Sequence, residues 1–240
     1  MSSAGTDFTT THWSVVLASV QGDSPQATAA LEELCRTYWY PLYLFVRRQG
    51  HTAHDAEDLL QAFFARFLEK KCLCEVDRDK GRFRSFLLKG LKHFLANEWD
   101  KTQALKRGGG AQILSLDREA AESRYWQEPV SELTPEILYE QRWACVLLDQ
   151  VMQRLARDFV AAGHGEFFEM VKPLLAGERD SATYAELGAR LGLSAAALKM
   201  KVQRLRHRYE RLLRETIAQT VATPEEVEDE LRYLFRVLSH

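Results

Sequence analysis

The chain has 240 residues, is 46% hydrophobic and 28% charged, and carries a net charge of −2. That composition gives a globular protein with room for two ordinary domains and excludes a disordered chain. No apolar run approaches the roughly 20 residues that span a bilayer, and the opening MSSAGTDFTT lacks the basic and apolar parts of an export signal. Four cysteines in so long a chain make no disulfide framework, so a cytoplasmic location is expected.

Helical signals dominate along the chain. Ser24 and Pro25 read as an N-cap and first helical residue. Ala27, Leu31, Leu34, Tyr38, Leu42 and Phe45 then keep helical spacing past Pro41 until Gly50. Thr52 with Asp55 forms a capping pair ahead of a second helix carrying Leu59, Leu60, Phe63, Phe64, Phe67 and Leu68. After a polar loop, Phe83, Phe86, Leu87, Leu91, Phe94, Leu95 and Trp99 mark a third helix. The three are expected to pack as one bundle on an aromatic core. Residues 100–133 lose periodicity, and Lys106-Arg107-Gly108-Gly109-Gly110 has the composition of a linker. Helix resumes at Thr134-Pro135, with Ala144, Leu148, Val151, Leu155 and Phe159 on one face, and breaks at Gly163–Gly165. An aromatic segment from Phe167 to Leu175 follows. No segment alternates as a strand would, so the expected fold class is all-α, two helical domains joined by a flexible linker.

Residues 183–214, TYAELGARLGLSAAALKMKVQRLRHRYERLLR, are the most informative stretch. Arg190, Lys199, Lys201, Arg204, Arg206, Arg208, Arg211 and Arg214 oppose only Glu186 and Glu210 there. Such charge, against the sign of the whole chain, points to a polyanionic partner. Gly192 suits the positive φ of a sharp turn, Gly188 leaves room for a close helix crossing, and Ser194 can cap the next helix. Leu198, Val202, Leu205, Tyr209 and Leu212 form one apolar stripe. The opposite face displays Ala196, Met200, Gln203, Arg204 and His207, with Lys199 and Arg206 on one side and Lys201 and Arg208 on the other. A helix-turn-helix that reads base edges and holds both phosphate walls has this layout. A basic surface helix that meets only solvent is the plainer alternative.

Near the C-terminus, Thr223-Pro224-Glu225-Glu226 reads as a capped helix start, with Val227, Leu231, Leu234 and Leu238 as its stripe. Residues 215–240 hold Glu215, Glu225, Glu226, Glu228, Asp229 and Glu230 against Arg232 and Arg236. This acidic helix either completes the helix-turn-helix core or also covers the basic DNA face. Under the second reading, removing residues 218–240 would strengthen DNA binding without unfolding. Cys72-x-Cys74 with His51 and His54 is spaced too tightly for a zinc knuckle, so no metal is expected. No phosphate-binding glycine loop, H-E-x-x-H or G-x-S-x-G occurs, so neither catalysis nor a cofactor is expected.

Asp55-Ala56-Glu57-Asp58-Leu59-Leu60-Gln61-Ala62-Phe63-Phe64 resembles the D-A-x-D-L-x-Q-x-x-F helix in the second region of bacterial sigma-70 factors. GRFRSFLLKGLKHFLANEWDKTQALKRGGG is similar to the adjoining segment that melts and reads the promoter −10 element, and YAELGARLGLSAAALKMKVQRLRHRY to the fourth region, which reads −35. Two such blocks without a third region between them resemble the extracytoplasmic-function type. The resemblance implies an N-terminal extension at 1–24, a region-2-like domain at 25–104, a linker at 105–133, a region-4-like domain at 134–216 and an acidic extension at 217–240. It implies core RNA polymerase as partner, through the β′ clamp coiled coil and the β flap, and promoter DNA. It leaves room for an anti-sigma protein, and gives no small-molecule substrate and no membrane partner. Asp55, Asp58, Gln61 and Phe64 fall at the polymerase-docking helix, although Phe64 is equally suited to the core. Arg78, Lys80, Arg82, Arg84, Lys89, Lys92, His93 and Asn97 fall at the −10 segment. Ser194, Ala196, Lys199, Met200, Lys201, Gln203, Arg204, His207 and Arg208 fall at the −35 reader. Glu98 and Asp100 stand where many members carry arginines, and Met200 and Ala195–Ala197 where polar residues are common, so neither promoter preference carries over. A stand-alone helix-turn-helix regulator is the alternative function.

Overall fold

The computed structural model describes residues 25–68, 82–102, 118–128, 133–175, 181–221 and 223–239, and every regular element among them is helical. In chain order these are α1 (Pro25–Arg48), α2 (Ala53–Leu68), α3 (Phe83–Thr102), α4 (Arg118–Gln127), α5 (Pro135–Ala161) and α6 (Gly165–Val171). A 3-10 turn (Lys172–Leu174), α7 (Ser181–Arg190), α8 (Ala195–Ala218) and α9 (Glu225–Leu238) complete them. The described residues group into two compact units, one drawn from Met1–Cys145 with Ile217–His240, the other from Val146–Thr216.

Local signals set the ends of these helices. Gly50 lies at φ +95° just beyond α1, and its amide donates to the Arg47 carbonyl at 3.1 Å. Thr52 Oγ1 accepts from the Asp55 amide at 3.1 Å and donates to the Asp55 carboxylate at 2.7 Å, capping α2. Pro41 sits inside α1, which continues past it.

The core of the first unit is aromatic. Tyr38, Tyr43 and Phe45 of α1, Phe63, Phe64 and Phe67 of α2, and Phe83 of α3 are all essentially inaccessible. Tyr38 meets Phe83 edge-on at 5.0 Å, and Phe63 contacts Phe94 at 5.7 Å. Each such ring buries a large apolar area and adds edge-to-face attraction. From α5, Trp143 is fully buried and donates from Nε1 to the Tyr38 hydroxyl at 3.0 Å.

Two features differ from the sequence expectation. Residues 105–133 include a helix, α4, held on α1 by polar contacts rather than by an apolar stripe. Glu122 accepts from the Tyr43 hydroxyl and from Arg47 Nη2 at 2.8 Å. Arg47 also lies over the Tyr125 ring at 4.2 Å, and Glu128 accepts from Tyr40 at 3.0 Å. Periodicity cannot register such contacts, because among the α4 residues whose burial is described only Ala121 is buried.

The C-terminal helix is the second difference. Instead of completing the helix-turn-helix core, α9 belongs to the first unit. Val227, Leu231 and Leu234 are buried, Tyr233 packs against Trp143 at 6.4 Å, and the Phe83 amide donates to the Thr220 carbonyl at 3.3 Å. The reason is Glu230, 1% exposed, whose carboxylate takes Arg84 Nε at 2.6 Å and Arg82 Nε at 2.9 Å. An acid so buried must sit where cations meet it, and α3 with the residue before it supplies them. The boundary inside α5 likewise falls between Cys145 and Val146, so the first turns of that helix join the first unit.

Candidate nucleic-acid interface

In the second unit the turn between α7 and α8 is fixed by backbone geometry. Gly192 adopts φ +65°, and the Leu193 amide donates to the Gly188 carbonyl at 2.8 Å. A Cβ on Gly188 would come within 2.7 Å of the Leu193 carbonyl oxygen, so only glycine allows this approach. The Ala197 amide donates to Ser194 Oγ at 3.2 Å, making Ser194 the N-cap of α8.

Behind the turn, α8 splits into two faces. Leu198, Val202, Leu205 and Leu212 are buried, and the Tyr209 hydroxyl donates to the Leu148 carbonyl at 3.4 Å. Ala196, Lys199, Met200, Lys201, Gln203, Arg204 and His207 are exposed together. Met200 is 58% exposed, one of several large apolar side chains that face water among the described residues. Gln203 Nε2 lies 3.2 Å from His207 Nε2, joining two hydrogen-bonding side chains on this face.

Not every cation of α8 points outward. Arg206 Nη2 donates to the Leu174 carbonyl at 2.8 Å, and Arg208 Nη2 to Asp158 Oδ2 at 2.7 Å. These two arginines tie α8 to the segments before it. Lys201 lies 5.6 Å from the Phe167 ring but stays exposed. The outward face that can meet base edges therefore centres on Lys199, Met200, Gln203 and Arg204.

In the first unit, Lys89, Lys92, His93 and Asn97 are all exposed on α3. Their spacing places a mixed cationic and hydrogen-bonding strip along that helix. Arg84 departs from the expected DNA-facing position. It is 3% exposed and lies between the rings of Trp143, at 4.9 Å, and Tyr233, at 3.9 Å. Nε and Nη2 of Arg84 donate to Glu230, Nη1 donates to both Glu140 oxygens at 2.7 and 2.8 Å, and its carbonyl accepts from the Tyr139 hydroxyl. Burial alone would lower this guanidinium's pKa, but the bonds to Glu230 and the charges of Glu140 and Glu230 outweigh it and hold it above its ordinary value. Burial raises the neighbouring Glu140 carboxyl, against the opposing Arg84 charge. Arg84 is thus a structural cation. Arg78 and Lys80 lie outside the described residues, as do Cys72 and Cys74.

On α2, Asp55 and Asp58 are exposed, with Asp58 3.6 Å from His54. Gln61 is half-buried against Glu57. Phe64 is fully buried beside Phe63, so it is core and offers no surface to a partner. The sequence had left that residue between two roles, and the wide apolar face of α2 decides it.

Sequence reasoning did not find Glu136, Glu140 and Glu230 as partners of the α3 cations. Their one advance signal was the spacing of Glu136 and Glu140 by a single helical turn, which many solvated faces share. Among the described residues no cluster of histidine, cysteine or acidic side chains is arranged to hold a metal ion, and no helix is long and apolar enough to cross a membrane. No family model, curated protein or solved structure matches the chain.

Proposed function

We propose that the chain is a dissociable transcription initiation factor of the sigma-70 type. In this reading it binds core RNA polymerase in the cytoplasm, directs it to promoters and assists melting, while the polymerase makes every covalent bond. One observation carries the proposal: a glycine turn and serine cap set α8 so that Lys199, Met200, Gln203, Arg204 and His207 share one exposed face. Arg204 would pair with guanine O6 and N7, and Gln203 with adenine. The exposed strip of Lys89, Lys92, His93 and Asn97 on α3 would hold the −10 strand, and Asp55, Asp58 and Gln61 on α2 would meet the polymerase.

A second reading, a stand-alone helix-turn-helix regulator, draws on the burial of Phe64, which removes an apolar anchor from the polymerase-docking helix. Gel filtration with sigma-free core polymerase separates the two. Co-elution that Asp58→Arg abolishes supports the initiation factor. A chain that binds DNA but never co-elutes supports the regulator.

A further inference from the structure

Three of the expected DNA-contacting cations, Arg82 just before α3 and Arg84 and Lys92 on it, are met by carboxylates from the same chain. Lys92 Nζ lies 2.6 Å from Glu136 Oε1, at the start of α5. One turn further along α5, Glu140 takes Arg84 at 2.7 Å. From α9, Glu230 takes Arg84 at 2.6 Å and Arg82 at 2.9 Å. The match is one of order: Arg84 and Lys92 lie about two helical turns apart on α3, and Glu140 and Glu136, one turn apart on α5, answer them in reverse order. Acidic side chains thus pair with cations expected to meet backbone phosphates, and all of these residues belong to the first unit.

Exposure grades the four pairs. The Arg84–Glu230 contact is buried on both sides, so breaking it would strand charges away from water. The Arg82 side chain is 30% exposed, and Lys92 and Glu136 are each 44% exposed. A water-facing ion pair opens at little cost. The two ends of this arrangement therefore behave differently: one is an anchor, the other can be exchanged.

We infer that the first turns of α5 and the helix α9 form an intramolecular acidic cover on α3, with Glu136 and Glu230 occupying Lys92 and Arg82 in place of nucleic-acid phosphates. The Arg84–Glu140–Glu230 cluster holds the cover in register. DNA binding along α3 is then a competition, in which phosphates displace carboxylates before they gain the cations. This inference rests on the reading of α3 as a DNA-facing helix, but not on the polymerase partner.

Glu136→Gln tests it with little risk to the fold, because the pair is solvent-facing. The probe is a short fluorescein-labelled single-stranded DNA, titrated by anisotropy against the full-length chain across a salt series. The cover requires Glu136→Gln to bind about two- to fivefold more tightly than wild type, the worth of one exposed ion pair. The log–log salt slope should steepen by about 0.7, one further phosphate neutralised on a single strand. Lys92→Ala should erase the gain of Glu136→Gln, so that the double variant binds no more tightly than Lys92→Ala alone. If Glu136→Gln, with an unchanged circular dichroism spectrum, binds with wild-type affinity and slope, the cover is overturned. A gain from Glu136→Gln that is equally large in the Lys92→Ala background overturns it as well, since the gain would not act through Lys92. Absence of DNA binding by every variant would overturn the DNA-facing reading of α3 and the cover with it. Failure to bind core polymerase would overturn only the proposed initiation role.

Discussion

A methyl group added at Gly188 would lie 2.7 Å from the Leu193 carbonyl oxygen, and that oxygen belongs to the backbone of the turn. The turn must move to admit it, and overpacking of this kind costs about 1–3 kcal/mol. Gly188→Ala is therefore expected to lower the stability of the 146–216 unit by that amount, measured as a shift in a urea midpoint. An unchanged midpoint would mean that the turn relaxes freely. Arg204→Ala carries the opposite expectation. It lies on the exposed face, so stability should stay within about 0.5 kcal/mol of wild type. Binding to a matched −35 duplex should weaken by about 1–3 kcal/mol, with preference lost at one base position. Equal losses on matched and scrambled duplexes would make Arg204 a phosphate contact instead. Both positions were legible in the sequence, because glycine at a crossing and cations opposite an apolar stripe are local signals. Arg84 was not. Its surroundings are a ring from α5, a ring from α9 and two distant carboxylates, and no window of neighbouring residues contains them.

Among the elements, α4 shows what periodicity leaves out. It is held on α1 through Glu122, Glu128 and Tyr125, with Ala121 buried and its other described residues half-buried or exposed, so its sequence reads as a polar linker. Burial pushes the Glu122 carboxyl up, but hydrogen bonds from Tyr43 and Arg47 and the Arg47 charge outweigh it and hold the carboxyl below its ordinary value. A carboxyl depressed in the folded state contributes stability that is present above its unfolded pKa, about 4.3, and is lost as pH falls through the folded value. Docking of α4 is accordingly expected to persist at mildly acidic pH and to loosen only as the pH falls below the ordinary carboxylate value. Hydrogen exchange of the 118–127 amides would record this, and Glu122→Gln should remove the acid dependence. Exchange that is fast at neutral pH in wild type would contradict the docking. The first three helices, by contrast, were readable from their aromatic spacing, and their caps at Gly50 and Thr52 stand where the sequence set them.

For the whole molecule, chain order and spatial grouping diverge. The sequence suggested domains that follow one another, with an acidic helix added to the last. The contacts group that helix and the first turns of α5 with the first unit. Removal of residues 218–240 would expose what Val227, Leu231 and Leu234 cover, each worth roughly 1.5–3 kcal/mol when fully buried. It would also leave the buried Arg84 without Glu230. The truncated chain is expected to lose cooperative unfolding in its first unit, seen by differential scanning calorimetry as a lost or strongly lowered transition. A truncated chain that melts as wild type does would show that α9 is dispensable. This replaces the sequence expectation of a tail that can be removed without loss of folding. Charge pattern alone had marked the tail as acidic, but only the fold shows which cations its acids meet.

The central claim is that this chain directs RNA polymerase to promoters. Multiple-round run-off transcription tests it most directly, using sigma-free core polymerase, the full-length chain, and templates selected by their complex from random-sequence DNA. The account predicts transcripts of a defined length that require the chain and fall strongly with Arg204→Ala or Asp58→Arg. Transcripts independent of the chain, or none at any concentration of a folded chain that still binds DNA, would contradict it.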